Sequence, residues 1–271
     1  MATYMENINN STLTINSPQL TKESELKTSS YLEDVAFIRI VLIGLMVYYH
    51  AFCPFTGNWQ SLQGEVILFS PYWWIGKTAY SFMLEAFVFI SGLIFGCQIL
   101  GKGVKNMCCR FQVVSKFKRL IYPSLLFSAL YVMVFPQPVN IRLLYSIANG
   151  VGHMWFLPML FWCFLITMVL ERSKLTEIQG LMLCLGFSFV SFLNLPFQLN
   201  WTLYYIVFFY FGVLVGKGTI NFNQWFNPKK VALLAALFIL TFVASQYLKV
   251  YLSDTFYDGN TLMVRKLMGG G

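Results

Sequence analysis

Seven apolar runs, near 35–53, 78–100, 120–135, 152–170, 178–195, 201–216 and 231–252, dominate this sequence. About 20 apolar residues in helical form match the ~30 Å hydrocarbon core of a bilayer. The runs are continuous rather than alternating, which favours helices over a transmembrane β-barrel, since every backbone group in hydrocarbon must be satisfied internally. Composition agrees. Of 271 residues, 57% are hydrophobic and only 11% charged, against about 25% charged in soluble domains. A water-soluble fold would lack the polar side chains to cover its surface. The expectation is an all-α, polytopic transmembrane helix bundle of about seven helices. The third and sixth runs are short, and Pro123 within the third predicts a kink or tilt there.

The first stretch, 1–30, is rich in Ser, Thr and Asn and lacks the apolar core of a signal peptide. We read it as a flexible tail, 31–252 as the transmembrane domain and 253–271 as a polar C-terminal tail. Nineteen Lys and Arg against eleven Asp and Glu give a net charge of +8. In a membrane protein those charges report orientation rather than nucleic-acid binding. Lys102, Lys105, Arg110, Lys116, Lys118 and Arg119 crowd one loop. That loop is expected to be cytoplasmic, which places the N-terminus inside as well. Cys53, Cys97, Cys163 and Cys184 lie in or at the ends of runs, where a thiol is a small apolar group. Cys108 and Cys109 are adjacent, with no CxxC spacing and no nearby His. No metal site is expected.

The informative residues are ionisable groups inside the runs, because a charge in hydrocarbon needs a partner or a wet cavity. Arg39 and His50 are eleven positions apart in the first run. At ~100° per residue they fall within ~20° of one helix face, roughly 16 Å apart along the axis. Either alone has a bland reading: His50 bonded at a helix end, Arg39 snorkelling to lipid phosphate. Together on one face they suit transfer chemistry across a bilayer. Glu85 in the second run must be protonated, paired or hydrated, with His50 and Arg142 as available partners. Ser91-Gly92 suits either close helix packing or a place beside substrate. His153 and Trp155 open the fourth run, where they fit an interfacial aromatic belt or a ring that stacks on sugars.

Arg39 and His50 in the first helix, Glu85-Ala-Phe-Val-Phe-Ile-Ser91-Gly92 in the second, Lys116-Phe-Lys-Arg119-Leu-Ile-Tyr-Pro123 entering the third, and His153-Met-Trp-Phe-Leu-Pro158 in the fourth resemble the ordered motifs of acyltransferase family 3. Phe209-Tyr-Phe-Gly212-Val-Leu-Val-Gly216 is similar to that family's later glycine-containing helix. The resemblance covers about 33–217. It implies a multi-pass enzyme of the bacterial cytoplasmic (inner) membrane that moves an acetyl or similar small acyl group from cytoplasmic acyl-CoA to a hydroxyl of a cell-surface or lipid-linked carbohydrate. By the same resemblance His50 is the essential histidine, Arg39 the donor-side arginine and Glu85 a third catalytic group. Arg39, Lys116 and Arg119 would bind the phosphates of CoA. His153, Trp155 and Ser91 would border the acceptor. The family's basic pair is commonly two arginines, so Lys116 keeps the charge without the bidentate fork.

The implied partners are a carbohydrate or glycolipid acceptor, acyl-CoA (chiefly acetyl-CoA) as co-substrate, and membrane lipid. No nucleic acid and no permanently bound cofactor are expected, and a homo-oligomer stays open. Two other readings stand beside the enzyme: a saccharide transporter or flippase with a proton-relay His, and an inactive truncated family member. The second draws on length, because the family usually has about ten helices and this chain offers about seven.

Overall fold

The computed structural model describes residues 17–52, 70–102, 109–135, 140–173, 175–193, 195–220 and 227–255. Their regular structure is helical: α1 Ser17–Phe52, α2 Ser70–Lys102, α3 Cys109–Lys116, α4 Tyr122–Val134, α5 Ile141–Asn149, α6 Phe156–Arg172, α7 Glu177–Val190, α8 Leu199–Gly216 and α9 Pro228–Thr255. Six apolar segments among the described residues are long enough to cross a membrane: 33–51, 74–101, 110–134, 152–172, 199–216 and 228–248. They match six of the seven runs. The remaining run corresponds to α7, whose 14 residues span about 21 Å, short of the ~30 Å core. Thr176 and Gln179 cap its start reciprocally, and turn-forming Ser191 and Pro196 follow its end.

Helix α1 reaches back to Ser17, into the stretch that composition alone reads as tail. Local chemistry explains the extension. Pro18 follows Ser17 with its φ already set for a first helical turn. Between α3 and α4 the backbone widens into a π-turn over Phe117–Ile121. Pro123 sits in the first turn of α4. Proline cannot donate to the carbonyl four residues back and its ring crowds it, so one wide turn carries the helix past without a break.

The core lies where α2, α6 and α8 meet. Phe95, Phe209, Met83, Met159, Ile206, Val88 and Val213 are fully buried there, and Phe164 meets Phe209 and Phe95 edge-on at ring-centroid distances of 4.8 and 5.1 Å. The most extensive helix pairing joins α2 to α8. Glycines set it. A Cβ on Gly92 or Gly96 would strike the carbonyls of Phe209 and Val213, and one on Gly212 or Gly216 would strike those of Phe89 and Leu93. The two Gly-x-x-x-Gly stripes therefore face one another, and the matched register makes α2 and α8 parallel. By contrast α9 lies outside, with no buried residue in its apolar window. It touches α2 through the ring pairs Trp74–Phe242 and Phe82–Phe238, each at 6.2 Å.

At the end of the bundle where α6 and α8 finish, Lys217 Nζ lies 2.9 Å from both Glu171 Oε2 and Glu177 Oε1. Thr219 Oγ1 donates to Glu177 Oε1 at 3.0 Å. The hydrogen bond from Lys217 holds the Glu177 carboxyl below the usual carboxylate range. Burial opposes the Lys217 charge, but its bonds to Glu177 and Glu171 outweigh that and raise its pKa. The clasp therefore stabilises the fold across neutral pH. It is lost as pH falls through the depressed Glu177 value, or rises through the elevated Lys217 value.

Candidate functional site

The opposite end of the bundle gathers residues far apart in sequence. His50, near the C-terminus of α1, meets His153 with ring centroids 5.3 Å apart and planes inclined by 45°. Tyr49 packs edge-on to His50 at 5.5 Å and stacks on Tyr80 of α2 at 4.7 Å. His50 is half-buried and His153 exposed. The pair thus joins a sheltered imidazole to an accessible one.

The segment that carries His153 is held from α4. Ser128 and Ser124, one turn apart and both buried, face it. The Val151 N–H donates to Ser128 Oγ at 3.0 Å, and Ser124 Oγ donates to Met154 O at 3.4 Å. Gly150 turns the chain into this segment with φ +84°, where a Cβ would strike the Met154 backbone. Beyond it, the single 3₁₀ turn Gly152–Trp155 leads into α6. Ser128→Ala strands the Val151 N–H, and the expected cost is about 1–2 kcal/mol. Thermal unfolding of that variant checks it.

Trp155 packs against Trp201 of α8 at 5.2 Å, with Tyr205 at 6.3 Å. Glu85 is turned toward α8, within electrostatic reach of Tyr204 and Tyr205. Its Oε2 is buried without a hydrogen bond. The Arg142 side chain, one partner considered for Glu85, lies outside the described residues. Ser91 Oγ donates to Phe87 O at 2.8 Å, back onto its own helix, and the neighbouring Gly92 belongs to the α2–α8 seam. That placement favours packing for the Ser91-Gly92 pair.

The basic residues sit toward the other end and do not act alike. Lys116 is half-buried, with Nζ 4.0 Å from the Phe164 ring centroid and 5.5 Å from that of Phe95. The ring faces supply the attraction an ammonium needs away from water. Three residues on, inside the π-turn, Arg119 is exposed. Arg39 is exposed too, although Val35 and Leu42 on the same stripe of α1 are buried. Among the described residues no group of three His, Cys, Asp or Glu side chains is placed to hold a metal.

A family model described as an acyltransferase domain, the third of that name, matches residues 32–265. The chain belongs to acyltransferase family 3. No curated protein and no solved structure matches it. The family and the apolar helices together make this a multi-pass membrane protein with an acyltransferase domain, and the match reaches well beyond the stretch where the motifs resemble the family's. Sequence reasoning passed over Ser124, Ser128 and Gly150. Two of these left a signal: Ser124 and Ser128 are four residues apart, hence on one face of an otherwise apolar helix. Gly150 acts through its backbone geometry, which the motif pattern does not encode.

Proposed function

We propose that this family member moves an acetyl or similar small acyl group from acyl-CoA to a hydroxyl of a cell-surface or lipid-linked carbohydrate, working in a bacterial cytoplasmic membrane. The observation that carries this reading is the meeting of His50 and His153 across 103 residues of sequence, with rings 5.3 Å apart. A sugar hydroxyl is a poor nucleophile at neutral pH, and a positioned imidazole removes its proton as it attacks. The hydroxyl oxygen bonds to the thioester carbonyl carbon, and His50 takes the proton. The carbon–sulfur bond then breaks, and the imidazolium returns the proton to the leaving CoA sulfur. The products are an O-acyl sugar and free CoA.

Donor recognition falls to the exposed guanidinium groups of Arg39 and Arg119, which suit phosphate oxygens. The Lys116 ammonium lies over the Phe164 and Phe95 rings. Its charge joins theirs as a field at that end of the bundle rather than as a fork. Arg39 sits roughly 16 Å along α1 from His50, so the flexible arm of CoA, not its nucleotide, would reach the chemistry. The test is isotopic. Membranes containing the protein are supplied with acetyl-CoA labelled in the acetyl group, and labelled glycan is the expected product. Movement of unmodified saccharide with no label on it would favour a transporter instead.

A further inference from the structure

Two buried acceptor oxygens at the His50 end have no hydrogen-bond partner: Asn149 Oδ1 and Glu85 Oε2. Buried acceptors are almost always paired, so two such oxygens near one cluster of rings ask for donors. Both lie against α8: Glu85 continues the α2 stripe of Phe89 and Gly92 that packs on it. Gln198 Nε2 donates to the Asn149 carbonyl oxygen at 3.0 Å, which fixes Asn149 beside the first turn of α8. Glu85 lies within electrostatic reach of Tyr204 and Tyr205. Trp201 and Tyr205, four apart, share one face of α8 just beyond Gln198, and the seven residues from Gln198 to Tyr205 span about 10 Å.

Between the ends lies an aromatic ladder. Trp155 and Trp201 are 5.2 Å apart, with Tyr205 at 6.4 Å from Trp201. Both tryptophans are only half-buried. Phe197 and Gln198 hold left-handed φ values of +56° and +61°, a costly backbone for two successive non-glycine residues. That strain aims the Gln198 side chain at Asn149.

We propose that this face is an acceptor subsite two sugar units long. A hydroxyl of one unit donates a hydrogen bond to Glu85 Oε2 near the reacting end, and a hydroxyl of the next donates one to Asn149 Oδ1. The C–H faces of the rings lie along Trp155 and Trp201. A water on each oxygen would satisfy it singly, but it accounts for neither the ladder between them nor the strained turn that positions one of them. The proposal rests on the carbohydrate-acceptor reading and adds Asn149 and a length to it.

The test titrates the purified protein in detergent with maltose, cellobiose and the β-1,4-linked disaccharide of N-acetylglucosamine, each against its monosaccharide, by tryptophan fluorescence. At least one disaccharide is expected to bind roughly ten-fold more tightly than its monosaccharide. Asn149→Leu should erase that advantage without changing the monosaccharide affinity, and Asn149→Asp, which keeps an oxygen in place, should retain it. Should Asn149→Leu aggregate, Asn149→Ser, whose hydroxyl stops short, should lose the advantage in its stead. Disaccharides no tighter than monosaccharides, or an advantage that survives both Leu and Ser, would overturn the subsite. Transfer of label from acetyl-CoA is scored separately. Transfer without disaccharide preference defeats the subsite alone, and preference without transfer defeats the transferase reading alone.

Discussion

His50→Ala is expected to slow acyl transfer by about 10²–10⁴-fold, the usual worth of a general base, while the protein still inserts and purifies as the wild type does. The loss should fall on kcat, with little change in the KM for acyl-CoA, because the donor phosphates are assigned to Arg39, about 16 Å away along α1, and to Arg119 on another helix. His50 is half-buried rather than sealed in the core, so removing its ring leaves the helix packing intact. His153→Ala should cost less, since the exposed ring supports its neighbour and does not replace it. The measurement is initial rate with labelled acetyl-CoA, alongside a melting curve for each variant. Undiminished transfer by a well-folded His50→Ala protein would remove the imidazole from the mechanism.

Gly212→Leu is expected to prevent the protein from folding into a monodisperse particle, and Gly212→Ala to lower its melting temperature sharply. The reason is geometric. A Cβ at Gly212 meets the Phe89 carbonyl, and the same holds at Gly92, Gly96 and Gly216 against their partners. These neighbours are backbone atoms, which cannot rotate aside as a side chain does, so α2 and α8 must separate along the whole seam. Overpacking against side chains already costs about 1–3 kcal/mol, and here the dense core of Phe95, Phe209 and Val213 would open as well. Gly44 and Gly186 provide controls, because nothing lies within 4 Å of a Cβ at either. Alanine there should be neutral, or stabilising by up to about 1 kcal/mol through helix propensity. Size-exclusion profiles and thermal melts of the four variants separate a seam effect from a general intolerance of alanine.

Much of the architecture was legible because a bilayer imposes one rule on every segment. An apolar run of sufficient length has to be a helix, so six spans coincide with runs visible in the sequence. Pro123 announced its irregularity, although its form, a π-turn rather than a kink, depends on how the preceding carbonyls rearrange. Helix pairing was hidden. Gly92 and Gly96 are readable as a small-residue stripe, yet nothing local says that the partner is Gly212 and Gly216 more than a hundred residues later. The extension of α1 to Ser17 was masked by composition, which weighs Ser and Thr as loop formers and overlooks their position before Pro18. At the site, Arg39, His50, Glu85 and His153 stood out because ionisable groups are scarce in apolar runs. Ser128 and Asn149 did not, since a hydroxyl or an amide in a helix has many uses, and only the neighbour it meets shows which one.

The α2–α8 seam also imposes a timetable on synthesis. About a hundred residues separate the end of α2 from the end of α8. At roughly 5–20 residues per second, a ribosome needs about 5–20 s to make them. During that interval the Gly92 and Gly96 groove has been inserted without the helix that fills it. A newly made chain must therefore keep that groove from pairing with the wrong helix until its fifth long span arrives, and an interruption of translation in this window would leave the protein in the membrane without its central contact.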